Sequence, residues 1–185
     1  MPSATRPEIR DPWRAFLQAV DGELPYETVL HCLGGFVAGL HYDLPRATND
    51  LDYAEVLPRD AMEILQRIAG AGSMLAKKHR VHLQHVGVAS LPESYAERLT
   101  EISPASLRRL RLFAMEPHDL ALSKLTRNSP IDRHDVAQLT KAVPLSAETL
   151  RARYRAELRP IIIGDPERHD RTLDMWIDAY FGPQG

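Results

Sequence analysis

The spacing of apolar residues changes character at Pro117, and no other feature of the 185-residue chain constrains its fold as strongly. Before Pro117, short β-type runs alternate with helical stretches; after it, apolar residues recur almost entirely at helical spacing. Asp11-Pro12 has the form of a helix start, and Trp13, Phe16, Leu17 and Val20 supply an amphipathic stripe that Gly22 to Pro25 ends. Val29 to Leu33 is expected as a buried strand that meets Gly34-Gly35, with a helix over Phe36 to Tyr42. Leu51 to Val56 is a second strand, and Ala61, Ile64, Leu65 and Ile68 mark a helix that stops at Gly70 and Gly72. Val81 to Val88 is β-rich with an alternation that breaks at His85-Val86, which points to a bulge or a sheet buried on both faces. Leu110 to Phe113 gives one more short strand.

Helices are expected over Pro117 to Arg127, Arg133 to Ala142, Ala147 to Leu158 and Pro166 to Phe181. The last shows Leu173, Trp176, Ile177, Tyr180 and Phe181 on one face. This order implies an α+β fold: a small mixed-sheet core with an N-terminal helix over residues 1–115, followed by a helical region over 116–185 packed on it.

Composition narrows the function classes. With 25 acidic and 23 basic residues the formal charge is −2, which excludes a strongly basic coat for nucleic acid. The single cysteine, Cys32, excludes an intramolecular disulfide framework and a Cys-rich zinc module, and is expected as a small core residue beside the glycines. No apolar run approaches the roughly 20 residues of a bilayer span, and Met1 to Arg10 has no signal-like stretch, so a cytoplasmic protein with no membrane partner is expected. Two arginine clusters, Arg108, Arg109 and Arg111, and Arg151, Arg153, Arg155 and Arg159, are interspersed with acids and fit a solvated face.

The residues with chemical promise lie at Gly34-Gly35 and at Thr48-Asn49-Asp50-Leu51-Asp52. Asp50 and Asp52 are two apart on an expected strand, so both carboxylates leave one face, shared by Thr48 if the strand begins early enough. Hard oxygen donors in that pattern suit Mg²⁺, which keeps waters and completes its octahedron with substrate phosphates. Gly34 and Gly35 sit where a strand turns into a helix, where missing Cβ atoms allow close backbone approach to a triphosphate.

The stretch from Leu33-Gly34-Gly35 through Arg46-Ala47-Thr48-Asn49-Asp50-Leu51-Asp52 resembles the signature of the nucleotidyltransferase superfamily, a Gly-Gly pair followed by an Asp-x-Asp metal pair. Asp119 to Leu125, Arg127-Asn128 and Asp132-Arg133-His134-Asp135 are similar to a second block in the branch that holds AbiEii-type and MenT-type toxins. The resemblance implies phosphate contacts for Gly34 and Gly35, Mg²⁺ on Asp50 and Asp52, and Lys124, assisted by Arg127, on the triphosphate, with Thr48 counted among the nucleotide-binding residues. It further implies that Asp132 or Asp135 is the acid following the lysine; the same two residues also fit a helix cap. One departure stands out. Many relatives carry a third carboxylate on a neighbouring strand, and Arg80 to Val86 offers none, leaving His82 or His85 to deprotonate an acceptor.

The function this implies is Mg²⁺-dependent transfer of a nucleoside monophosphate from a nucleoside triphosphate to a hydroxyl, on an RNA 3′ end or a protein side chain. A toxin-like role would add a cognate antitoxin as partner. The alternative is a non-catalytic nucleotide-binding or partner-binding module on a degenerate scaffold.

Overall fold

Eight α-helices and five strands are formed by the described residues, 8–87 and 89–182, of a computed structural model. The fold is α+β, and the chain divides into two compact units, Met1–Gly87 with Leu99–Ala114 and Val88–Arg98 with Met115–Gly185. The first unit holds all five strands: β1 (Thr28–Leu33), β2 (Asp50–Leu57), β3 (His82–His85), β4 (Thr100–Glu101) and β5 (Leu110–Ala114). They form one sheet in the order β3-β2-β1-β5-β4, with β1/β5 and β2/β3 parallel and β1/β2 and β4/β5 antiparallel. Helices α1 (Trp13–Glu23), α2 (Gly34–Leu40), α3 (Ala61–Ala69) and α4 (Met74–His79) complete the unit.

The two faces of this sheet differ in chemistry because side chains alternate along each strand. One face carries Leu30 and Cys32 of β1, Leu51 and Tyr53 of β2, Leu83 of β3 and Leu110 and Leu112 of β5, all buried. Phe16, Leu17 and Val20 of α1 and Leu65 of α3 are fully buried in the same unit. Each such side chain contributes about 1.5–3 kcal/mol relative to exposure. Cys32 is buried as expected, and burial pushes its thiol up, which makes it inert. The opposite face carries Asp50, Asp52, His82 and Gln84, all at least partly accessible. A register shift opposite His31 and Cys32 gives β2 an extra residue, so that Glu55 rather than Ala54 pairs with His31 and returns to the face of Asp52.

The second unit is helical: α5 (Pro117–Leu122), α6 (Pro130–Ala142), α7 (Ala147–Arg153), a π-helical turn Tyr154–Leu158, and α8 (Pro166–Phe181). Its core includes Leu120, Leu122, Leu125, Val136, Leu139, Leu150, Leu158, Leu173 and Trp176. Leu173, Trp176 and Ile177 form the buried stripe of α8 as the spacing requires, while Tyr180 and Phe181 are only half-buried.

Several boundaries differ from the sequence-based expectation for identifiable reasons. The helix after β1 begins at Gly34 itself, since Gly34 at φ +72° makes the turn and Gly35 is already helical. The strand expected over Val81 to Val88 is reduced to His82–His85, with Val88 outside the described residues. The helix expected over Pro117 to Arg127 stops at Leu122 in a run of tight turns, among them Lys124 N–H to Ala121 O at 3.1 Å. The helix expected from Arg133 starts at Pro130, because Ser129 caps it. Helix α4, capped by Ser73 accepting from Ala76 N–H at 3.1 Å, is announced by no apolar stripe; its Met74 is exposed. The arginine clusters do not form a bare solvated face. Arg111 pairs with Glu101 at 3.0 Å, Arg153 with Asp119 at 3.0 Å and Arg159 with Asp170 at 2.9 Å.

Candidate active site

In the first unit, Gly34, Gly35, Thr48, Asp50 and Asp52 are brought together by the β1–α2 turn and the start of β2. Leu33 at the end of β1 pairs with Asp52, so the glycine turn lies directly beside the second carboxylate. A Cβ at Gly34 would lie 2.3 Å from Asp52 Oδ2, and the backbone there is left-handed at φ +72°. Gly34 is therefore required twice, once by conformation and once by the carboxylate packed where a side chain would be. A Cβ at Gly35 would lie 2.9 Å from Arg46 Nε, so the guanidinium of Arg46 rests over the first turn of α2. Thr48 precedes β2, and its hydroxyl donates to Asp50 Oδ1, fixing the rotamer of the first carboxylate. Asp50 and Asp52 share one face of β2, as the two-residue spacing requires, and both are half-buried.

The neighbouring strand decides what else stands on that face. Asp50 pairs with His82 and Asp52 with Gln84, whereas His85 pairs with the buried Tyr53, ring centroids 5.3 Å apart, on the opposite face. Of the two histidines weighed from sequence, His82 alone shares the carboxylate face, and the residue level with Asp52 is an amide. Glu55 reaches the same face through the bulge but engages Arg59 at 3.4 Å. Sequence reading missed it because only the bulge, which leaves no composition signal, turns it there. Among the described residues no group of three or more His, Cys, Asp or Glu side chains forms a metal cage. Two carboxylates on one accessible face still fit Mg²⁺, which is ordinarily held by one or two carboxylates plus water and substrate phosphates.

We expect Gly34→Ala to lose about 1–3 kcal/mol of stability through its left-handed backbone. Nucleotide transfer should fall by about 10²-fold, because Asp52 must move to admit the methyl group. Thermal melts and steady-state rates read the two effects separately; a variant with native rates removes the requirement for the cradle.

In the second unit, Lys124, Asp132 and Asp135 form a buried ionic cluster that the exposed Arg127 joins from the surface. Lys124 Nζ lies 2.9 Å from Asp135 Oδ2 and 3.8 Å from Asp132 Oδ1. Arg127 grips Asp132 with two bonds, Nε to Oδ2 at 2.7 Å and Nη2 to Oδ1 at 2.5 Å. Lys124 and Arg127 therefore converge on Asp132 from a run of turns rather than from successive turns of a helix. Asp132 also closes a capping box with Ser129: Ser129 accepts from Asp132 N–H at 3.2 Å, and Asp132 accepts from Ser129 N–H at 2.9 Å. Both carboxylates are thus engaged, Asp132 in the cap and with Arg127, Asp135 with Lys124.

A second network, unanticipated from the sequence, holds the start of α5. The buried carboxylate of Asp119 accepts from Arg98 Nε at 2.7 Å and from Arg153 Nη1 at 3.0 Å, and Glu157 accepts from Arg98 Nη2 at 2.7 Å. Glu116 caps α5, pairs with Arg153 and meets His118 Nδ1 at 2.7 Å, while His118 Nε2 accepts from Ser146 N–H at 2.9 Å. Its residues are far apart in sequence, so no local pattern reveals it.

These contacts set an acid limit on the second unit. Burial works to raise the Asp132 carboxyl, but Arg127 and Ser129 override it and hold it at about 2. Burial likewise opposes, and His118 and Arg153 override, in holding Glu116 at about 2. Arg159 and Tyr154 hold Asp170 at about 2. Folded values lie below the ordinary 3.8 and 4.5, so these groups stabilise fully above those values and lose that contribution as the pH falls toward 2. We expect the helical circular-dichroism melt to fall steeply across that window. Arg127→Leu should flatten the part owed to Asp132; a flat profile in the parent chain contradicts the assignment.

The Gly-Gly turn at the end of β1 lies beside the Asp-x-Asp pair of β2, the arrangement that the resemblance to nucleotidyltransferases implies. The chain belongs to the DUF6036 family, described as a nucleotidyltransferase of unknown function, which matches residues 15–178. No curated protein and no solved structure matches it. No helix among the described residues is long and apolar enough to cross a membrane.

Proposed function

We propose that this protein is a Mg²⁺-dependent nucleotidyltransferase that moves a nucleoside monophosphate from a nucleoside triphosphate to a hydroxyl group. The observation that carries the reading is the cradle in which Gly34 leaves room for the Asp52 carboxylate on an accessible sheet face shared with Asp50. Asp50 and Asp52 are the residues that would hold Mg²⁺, which when bound neutralises phosphate charge and orients the triphosphate for in-line displacement.

The remaining work belongs to the chain. The turn at Gly34 and Gly35, beside the Asp52 carboxylate and the Arg46 guanidinium, would contact the phosphates, and Thr48 holds Asp50 in its rotamer. In the transfer the acceptor oxygen bonds to the α-phosphorus, the bond from the α-phosphorus to the bridging oxygen breaks, and pyrophosphate leaves. His82, paired with Asp50 on the open face, takes the acceptor proton. By the family resemblance Lys124, oriented by Asp135 and Asp132, would supply positive charge to the triphosphate, with Arg127 assisting. The acceptor is an RNA 3′ end or a protein hydroxyl, and a role like that of the AbiEii and MenT toxins, with a cognate antitoxin in the cytoplasm, is the finer form of the proposal.

One observation favours a second reading, a nucleotide-binding module without turnover: Gln84 stands level with Asp52 where a third carboxylate is usual. Thermal melts with each nucleoside triphosphate, with and without Mg²⁺, test the shared premise. Saturation at 100 times the dissociation constant raises stability by about 2.7 kcal/mol. The proposal expects a Mg²⁺-dependent rise that Asp52→Asn removes; no rise with any nucleotide overturns both readings. A rise without release of pyrophosphate would favour the module.

A further inference from the structure

A cavity of about 560 Å³ opens in the first unit, lined in part by Gly35, Thr48 and Asn49 next to the Asp50 and Asp52 pair. Its walls include Trp13 and Phe36, whose rings meet edge to face with centroids 4.8 Å apart, and His79 and Arg80 at the end of α4. We propose that this cavity receives the heterocyclic base of the nucleoside triphosphate. The inference rests on the nucleotidyltransferase reading of Asp50 and Asp52 and adds to it the place where the nucleoside is held.

Four observations converge on a flat, polar-edged aromatic ligand. First, the size lies in the range of small-molecule sites, roughly 300–1,000 Å³, and suits a nucleoside. Second, His79 Nε2 is buried with no hydrogen-bond partner among the described residues, although the ring packs against Phe16 with centroids 5.9 Å apart. His79 lines the cavity, and the edge of a base would offer this nitrogen a donor or acceptor once the ring turns toward it. Third, Arg80 is held in the left-handed region at φ 60°, where glycine is usual after a helix, so the chain keeps a cationic side chain at the cavity wall despite its backbone preference. Guanidinium and indole both stack on bases. Fourth, the cavity is joined to each metal-binding carboxylate by one residue. Thr48 lines it and donates to Asp50, while Gly35 lines it and follows the Gly34 cradle of Asp52. A nucleotide with phosphates at the carboxylates would meet this cavity at the residues that border both, Gly35 and Thr48.

The test uses the full chain labelled with 5-fluorotryptophan, whose two tryptophans, Trp13 and Trp176, give two fluorine resonances assigned through Trp13→Phe. Adenosine, guanosine, cytidine and uridine are titrated without phosphate, and tripolyphosphate with Mg²⁺ is titrated separately. At least one nucleoside should shift the Trp13 resonance and leave that of Trp176 in place. His79→Phe should weaken this nucleoside at least tenfold without changing tripolyphosphate binding. Ala47→Phe, at an exposed position on the cavity rim, should do the same with no core side chain altered. The inference is overturned if no nucleoside moves the Trp13 signal, or if both variants bind nucleoside as the parent chain does. Tripolyphosphate binding that requires Asp52, without any nucleoside response, removes the base site and leaves the metal-pair reading standing. Nucleoside binding at Trp13 without tripolyphosphate binding supports the base site and removes the metal-pair reading.

Discussion

Asp52→Asn is expected to lower nucleotide transfer by at least about 10³-fold, well beyond the 10–100-fold typical of losing a group that merely orients a metal ligand. The substitution keeps the shape of the side chain and removes a charge that would hold Mg²⁺ in the proposed reaction. Its effect on stability should be small, within about 0.5 kcal/mol, because Asp52 is only half-buried on an accessible face and belongs to no core layer. That separation makes the variant informative. A chain that melts like the parent and fails to transfer has lost chemistry rather than structure. Retained transfer would mean that the carboxylate pair is an ordinary feature of a strand. Comparing Asp50→Asn sharpens the result, since Asp50 additionally accepts from the Thr48 hydroxyl.

Lys124→Met should show the largest stability effect, a loss of about 3–5 kcal/mol, because it withdraws an ammonium from the carboxylate of Asp135 in a buried cluster. Lys124 is 5 % exposed and Asp135 3 %. Replacing both, as Lys124→Met with Asp135→Leu, should restore most of the loss, since apolar side chains of similar volume commonly substitute for a buried ion pair at little cost. The double variant divides two roles that the single variant confounds. If Lys124 serves the triphosphate, the double variant folds and stays inactive; if the pair is purely structural, activity returns with stability. Denaturant midpoints and transfer rates on the same preparations give both answers.

How much of this was legible in the sequence depends on the range of the interaction. The α8 stripe and the β1 run reflect local periodicity, which needs only the repeat of a helix or the burial of a central strand, and both are present in the structure. The same-face placement of Asp50 and Asp52 follows from strand alternation alone. The position of Gly34 against Asp52 was not readable, because it depends on the β1–β2 register that sets Leu33 beside Asp52. The choice between His82 and His85 likewise needed the parallel register of β3 on β2. The end of α5 at Leu122 was hidden by good helix formers in Ala121 to Lys124, which the chain nevertheless turns out of the helix so that Lys124 reaches Asp135. Glu55 required a bulge, and the Arg98–Asp119–Arg153 network required contacts between segments distant in sequence.

The proposed support of nucleoside monophosphate transfer by Asp50 and Asp52 is tested most directly by incubating the full chain with each nucleoside triphosphate labelled at the α-phosphate, with Mg²⁺, total RNA and total protein as acceptors. Label incorporation is followed together with pyrophosphate release. We expect Mg²⁺-dependent incorporation into one acceptor class, one pyrophosphate per label, and loss of both in Asp52→Asn. Incorporation that persists in Asp52→Asn, or saturable nucleotide binding with no pyrophosphate under any acceptor, would contradict it.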